Sequence, residues 1–315
     1  MSDDDLARFL DELYPYRAES TTYRAIPETG RPPADVLTEV TSYAEREDRI
    51  GDEGRVSGSL YCGDHDHYHA LTEVFEAFAH VNVLQRDMYP SATKFEAEIV
   101  AMVADMLHGP ETGSDVCGVV TSGGSESLIT ALYTYREQAA AERGITRPNV
   151  VMPRTAHVAL DKGAHWLGIE VRHAPLTDAY VADVDAMAAL IDENTIALVA
   201  SAGNYAHGLI DPIPEIGALA LSHGIGLHVD GCLGGFLLPW IEATGVDVPP
   251  WDFRVPGVTS ISADTHKYGY ALKGTSALIY RTKALRAHQW FAYPDWPGGL
   301  YVSPGFSGSR SGGLI

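Results

Sequence analysis

Lysine is scarce in this chain: five of 315 residues, at Lys94, Lys162, Lys267, Lys273 and Lys283. Lysine and arginine together number 22 against 42 acidic residues, a formal charge of −20. Such a surface repels phosphate backbones and anionic headgroups, which excludes nucleic acid and the face of an acidic membrane as partners. Cysteine is rarer still, at Cys62, Cys117 and Cys232. Three thiols make no disulfide framework and suit a reducing cytoplasm. No stretch approaches the ~18 apolar residues that cross a bilayer. The opening MSDDDLARFL lacks the basic start and apolar centre of a secretory signal. No internal repeat or low-complexity tract is present, which excludes a repeat architecture. A soluble cytoplasmic protein is expected.

What is present reads as an α/β protein. Forty-five per cent apolar and 20% charged residues over this length suit one large domain with an added arm. Residues 1–57 are polar and punctuated by Pro27, Pro32 and Pro33. Short helices are expected there over Leu6–Tyr14 and Ala34–Arg46, an arm rather than a domain. Residues 58–315 hold the large domain. Helices are expected over His65–Val81 and Thr93–Leu107, the latter with Phe95, Ile99, Val103 and Met106 at helical spacing. Then short apolar runs (Val116–Val120, Val150–Met152, Ile196–Ala200, Ile225–Val229, Val258–Ile261, Ala277–Tyr280) alternate with helical segments over Ser125–Glu142, Val184–Ile191 and Glu215–His223. That alternation predicts a mixed, mostly parallel sheet with helices on both faces.

Chemistry concentrates at the ends of the predicted strands, where open α/β sheets bind ligands. In Val258–Tyr280, a β-branched run breaks into Asp264-Thr265-His266-Lys267 before an apolar run resumes. A lysine partly removed from water loses some preference for its charged form, and a neutral amine attacks carbonyls. Thr121-Ser122-Gly123-Gly124-Ser125 opens a helix, where two glycines, free N–H groups and the Ser125 hydroxyl suit a phosphate. His157 follows the Val150–Met152 strand, and an imidazole there can stack on a ring and carry a proton. Asp230 ends Gly226-Leu227-His228-Val229-Asp230, and a carboxylate at a buried strand tip wants a cation. Each feature alone has an ordinary structural explanation. Together they supply a phosphate cradle, a ring stacker, a partner for a protonated pyridine nitrogen and an amine. That combination is the set pyridoxal phosphate needs, with Lys267 holding it as a Schiff base.

Longer strings carry a resemblance. Ser59-Leu60-Tyr61, the 121–127 loop TSGGSES, the 228–236 string HVDGCLGGF, the 262–270 string SADTHKYGY, the 295–301 string DWPGGLY and Gly308-Ser309-Arg310 resemble the sphingosine-1-phosphate lyase family. That family belongs to the fold-type I pyridoxal-phosphate enzymes, beside the glutamate and aromatic amino-acid decarboxylases. The resemblance implies an aminotransferase-like large domain and retro-aldol cleavage of a phosphorylated long-chain base to an aldehyde and phosphoethanolamine. It implies Lys267 as the cofactor lysine, Asp230 at the ring nitrogen, His157 on the ring, and Gly124, Ser125 and His266 at the cofactor phosphate. Gly308 and Ser309 would reach the phosphate of the neighbouring subunit in a homodimer with composite sites. Tyr61, Asn82, His207 and Lys273 would line the substrate site, with Lys273 offering a cation to the substrate phosphate. Tyr61, Lys267 and His157 are the candidate proton carriers. The same cofactor also supports amino-acid decarboxylation, and a truncated, silent paralogue is the third possibility.

Two departures stand out. Where the family usually reads Asn-Pro-Leu-His-Pro-Asp, this chain has Asn82-Val83-Leu84-Gln85-Arg86-Asp87. Gln85 carries no titratable proton, which puts the substrate in question. The family also continues into a smaller C-terminal domain, which is expected to be absent here.

Overall fold

The structure, a computed structural model, describes residues 3–17, 19–53, 60–62, 64–85 and 87–306. Contacts divide the chain into two compact units, Met1–Ser57 and Gly58–Ile315. The first holds helices α1 (Asp3–Leu13) and α2 (Pro33–Asp52). Pro33 sits in the first turn of α2, where its missing N–H leaves no helical bond unmade. The Tyr16 and Tyr43 rings pack 4.4 Å apart, and Arg46 pairs with Glu19 at 2.7 Å. None of the residues whose burial is described in this unit is fully buried.

The second unit opens with α3 (His65–Phe78) and α4 (Pro90–Met106). Strands and helices then alternate: β1 (Cys117–Thr121), α5 (Gly124–Arg143), β2 (Asn149–Pro153), α6 (Ala159–Leu167), β3 (Glu170–Ala174), α7 (Val184–Ala189), β4 (Thr195–Ser201), α8 (Ile213–His223) and β5 (Gly226–Asp230). After α9 (Leu238–Ala243) come β6 (Ser260–Ala263), β7 (Ser276–Tyr280) and α10 (Lys283–Ala287), then the small hairpin β8 (Phe291–Tyr293) and β9 (Tyr301–Ser303). Seven strands form one sheet in the order β1-β7-β6-β5-β4-β2-β3. Only β7 runs against its neighbours, antiparallel to both β1 and β6. This is the mixed, mostly parallel sheet the alternation predicts.

Side-chain parity sorts the core into two layers, because successive residues of a strand face opposite ways. One layer takes Leu198, Ala200, Leu227, Val229, Ile261 and Ile279 together with Ile213 and Ile216 of α8. The other takes Val150, Met152, Ala197, Val199, Leu278 and Tyr280 with Leu128, Leu132 and Tyr135 of α5 and Leu160 of α6. His228 and Asp230 share the parity that faces α5, so β5 aims its polar residues at the layer where the glycine turn begins. The α3 helix stops at Phe78, three residues short of Val81, and β3 is a strand the apolar runs did not announce.

Candidate active site

The strand order brings the C-terminal ends of β1, β2, β5 and β6 to one edge of the sheet. Around that edge a cavity of about 320 Å³ is lined by Gly124, Ser125, His157, Asp230, His266 and Lys267, joined by Cys232 and Asp264 among others. Every residue expected to hold the cofactor within this chain, apart from Gly308 and Ser309, therefore meets in one space. Gly308 and Ser309 lie outside the described residues, as does Arg86. A larger cavity among the described residues, about 950 Å³, lies elsewhere, against α3, α4, α9 and the back of the 265–275 loop. Its walls, such as Leu71, Phe75, Met102 and Trp240, are mostly apolar, and Lys267, Asp230 and Asp264 are absent from it.

Close approach explains the glycine turn. Gly123 has φ 142°, outside the range comfortable for a residue with a side chain. A Cβ on Gly124 would lie 2.6 Å from Asp264 Oδ2 and 2.9 Å from Cys232 Sγ. The turn therefore abuts the tips of β5 and β6 directly. Glu126 Oε2 accepts the Ser122 N–H at 2.6 Å, which holds the turn at the start of α5, and a helix N-terminus is where backbone amides meet an anion. Gly124→Ala is expected to destabilise the fold by about 1–3 kcal/mol through overpacking and to crowd the cavity. Urea denaturation and a pyridoxal phosphate titration of the variant check both effects.

Lys267 does not behave as its burial alone suggests. Its amine lies 2.9 Å from Asp264 Oδ2, and the Asp264 side chain is 1% exposed. Burial lowers the amine, but Cys232, Asp264 and Asp230 raise it, and the net direction is upward. Cys232 is itself buried and its thiol pushed far up, so it stays uncharged and the two carboxylates carry the effect. The expectation that desolvation favours a neutral amine is thus corrected: the buried carboxylate of Asp264 favours the charged lysine. Asp264 stands three residues before the lysine in the same string, yet sequence reasoning gave it no role. Its second oxygen, Oδ1, is buried without a hydrogen-bond partner.

The histidines have assigned faces. His266 Nδ1 accepts the Gly274 and Thr275 N–H groups, both at 3.1 Å. Its proton therefore sits on Nε2, and burial lowers its pKa, against the pull of Asp264. A neutral imidazole with a fixed N–H donor faces the cavity. His157 Nδ1 accepts the Ala159 N–H at 3.1 Å, which likewise leaves Nε2–H as the free end, and Tyr205 meets its ring edge-on at 6.5 Å.

The expected substrate residues divide. Tyr61 lies beneath the Lys273 ammonium, 4.5 Å from ring centroid to nitrogen, and edge-on to Tyr268 at 5.2 Å. Burial raises the Tyr61 phenol while Lys267 opposes it, which places Tyr61 within electrostatic reach of Lys267. None of Tyr61, Lys273, Asn82, Gln85 and His207 is among the residues lining the 320 Å³ cavity. Asn82 Oδ1 accepts the Leu84 N–H at 3.0 Å, Gln85 is exposed, and His207 stacks on Tyr180 at 4.9 Å.

An orphan carboxylate oxygen, a glycine turn at a helix N-terminus, a neutral N–H donor and a lysine around one cavity fit pyridoxal phosphate. Fold and site define a pyridoxal-phosphate-dependent domain. The family model described as the pyridoxal-dependent decarboxylase conserved domain matches residues 59–292. Sphingosine-1-phosphate lyase of Arabidopsis thaliana is 46% identical over 84% of this chain and 49% of its own length. The solved structure of Burkholderia pseudomallei sphingosine-1-phosphate lyase superposes with a TM-score of 0.93 at 50% identity, over 96% of this chain and 70% of that one. A Lactobacillus brevis glutamate decarboxylase shares the fold, with a TM-score of 0.75 at 23% identity over 97% of this chain and 71% of the other. The chain belongs to the pyridoxal-dependent decarboxylase family, on its sphingosine-1-phosphate lyase branch. It spans about half the length of the curated relatives it matches.

Proposed function

We propose that this chain forms the cofactor-binding part of a lyase that cleaves a phosphorylated long-chain base to a long-chain aldehyde and phosphoethanolamine. The observation that carries the reading is the single cavity joining Lys267, Asp230, Asp264 and the glycine turn. The branch to which the chain belongs supports the substrate class. Bound in this cavity, pyridoxal phosphate supplies the electron sink that lets a carbon–carbon bond break.

The residues divide the remaining work. Lys267 would hold the cofactor aldehyde. Asp230 holds a proton at the ring nitrogen, with one oxygen, Oδ1, anchored by the Cys232 N–H at 3.0 Å. His157 would cover the ring. The N-terminus of α5, Ser125 and the His266 Nε2–H would bind the cofactor phosphate. Lys273, one of five lysines in a chain of charge −20, offers the substrate phosphate a cation near the reactive amine. Tyr61, His157 and Lys267 are the groups placed to move protons. Asn82, Gln85 and His207 fit a substrate pocket completed by a second copy, with Gly308 and Ser309 crossing to the partner's phosphate. The large domain at 58–315, the arm at 1–57 and a cytoplasmic location complete the proposal.

Incubation with a phosphorylated long-chain base is expected to release long-chain aldehyde, read by mass spectrometry. Release of CO2 from amino acids without aldehyde would favour decarboxylation instead. Neither product, with cofactor bound, would mark a silent relative.

A further inference from the structure

Behind Asp230 a chain of buried polar side chains crosses the core. Tyr135 of α5 places its hydroxyl 2.7 Å from both Thr259 Oγ1 and Ser260 Oγ. Ser260 Oγ lies 2.8 Å from His228 Nδ1, and Ser262 Oγ lies 3.4 Å from His228 Nε2. Cys232 Sγ closes the series 3.3 Å from Ser262 Oγ. His228, Ser260 and Ser262 are wholly buried, so every proton in the series needs a partner inside it.

The direction runs out from the Thr259 end. Thr259 Oγ1 accepts the Leu227 N–H at 3.0 Å and lies 3.1 Å from the Leu227 carbonyl. With Thr259 donating to that carbonyl, it accepts from Tyr135, and Tyr135 accepts from Ser260. Ser260, its own proton used, accepts from His228 Nδ1–H. A neutral imidazole with its proton on Nδ1 accepts at Nε2, so Ser262 donates to Nε2 and accepts the Cys232 S–H. Burial holds His228 neutral by lowering its pKa to about 3, which this arrangement requires.

We propose that His228 is a positioning residue for the cofactor site, acting through Ser262 and Cys232 on Asp230. Ser262 fixes the Cys232 side chain, and the Cys232 backbone N–H fixes Asp230 Oδ1. One carboxylate oxygen is thereby tied back, which governs how the other faces the cavity. The link to Asp230 is local, since β5 and β6 pair Asp230 with Ser262 and His228 with Ser260. The proposal rests on the reading of this cavity as a pyridoxal phosphate site.

Two experiments test it. In the ligand-free protein labelled with 15N-histidine, NMR is expected to find His228 protonated on Nδ1 and bare on Nε2. A proton on Nε2 would overturn the proposal and needs no cofactor to observe. Next, His228→Asn keeps a donor near the Nδ1 position and loses the link to Ser262. His228→Gln carries an acceptor out toward the Nε2 position and keeps that link. Pyridoxal phosphate titration of His228→Asn is expected to show binding about tenfold weaker, the loss of one buried link, with its absorbance band shifted. His228→Gln is expected to bind as the parent does. Ser262→Ala, a smaller change, is expected to match His228→Asn. Equal binding and spectra for His228→Asn, Ser262→Ala and the parent would refute the positioning role. Failure of the parent to bind the cofactor would instead remove the reading of the cavity, leaving the proton direction to the NMR result.

Discussion

Lys267→Ala is expected to lose covalent capture of pyridoxal phosphate altogether. The parent protein, mixed with the cofactor, should develop absorbance near ~420 nm, the region usual for a cofactor aldehyde joined to a lysine amine. Borohydride should then fix the label on the peptide containing residue 267. The alanine variant should show neither, and dialysis should strip it of cofactor. A second effect accompanies the first. Alanine leaves Asp264 buried without the ammonium that now lies 2.9 Å away, and breaking a buried pair by removing one partner costs about 3–5 kcal/mol. Lys267→Arg separates the two consequences. It restores a cation for Asp264 but has no amine to capture the aldehyde, so it should recover stability and stay spectrally blank. Label appearing on Lys273 or another lysine would move the reactive amine elsewhere.

Acid should unfold the parent protein more readily than a variant lacking the imidazole at position 228. His228 is neutral in the fold, with its pKa lowered from 6.5 to about 3 by burial. The unfolded chain takes up a proton below pH about 6.5 that the folded chain refuses. The contribution to stability is therefore complete above that pH and falls as pH drops, by about 1.4 kcal/mol per pH unit, until the folded value near 3 is reached. By about pH 4.5 the loss attributable to this one residue approaches 3 kcal/mol, a large share of an ordinary stability of about 5–15 kcal/mol. The groups bonded to the ring are Ser260 and Ser262 from β6, neither of which titrates in this range. Urea midpoints at pH 7 and near pH 4.5 should separate for the parent and converge in His228→Gln. Parallel acid profiles for the two proteins would show that the imidazole protonates without opening the core.

Much of the sheet was legible because its strands are buried on both faces and read as short β-branched runs. The expected runs meet the observed strands within a residue or two, as at Ile196–Ala200 against Thr195–Ser201. The strand Glu170–Ala174 escaped because it lies at the end of the sheet, partly exposed and carrying Glu170, Arg172 and His173. The helices α6, α9 and α10, at nine, six and five residues, are too short to impose a period. In the site, Lys267, Asp230 and the glycine turn were readable because position at a strand end is a property of the chain itself. Asp264, Cys232 and His228 were not, because their roles arise where neighbouring strands set side chains against each other. The charge state of Lys267 was misjudged for the same reason: burial is visible in a sequence, whereas the carboxylate that opposes it becomes visible only in three dimensions.

The reversed strand β7 has a further consequence. Because it returns at once beside β6, the lysine rides on a loop fastened at both feet to adjacent strands. Thr265 and Thr275 are joined across its neck at 2.6 Å, and the Ala271 N–H donates to the Thr265 carbonyl at 3.0 Å. A crossover helix would instead have hung the same residue from the outer layer. Drift in the surface helices can therefore accumulate without displacing the amine, and evolution is free to retune what surrounds the reaction while its anchor stays put.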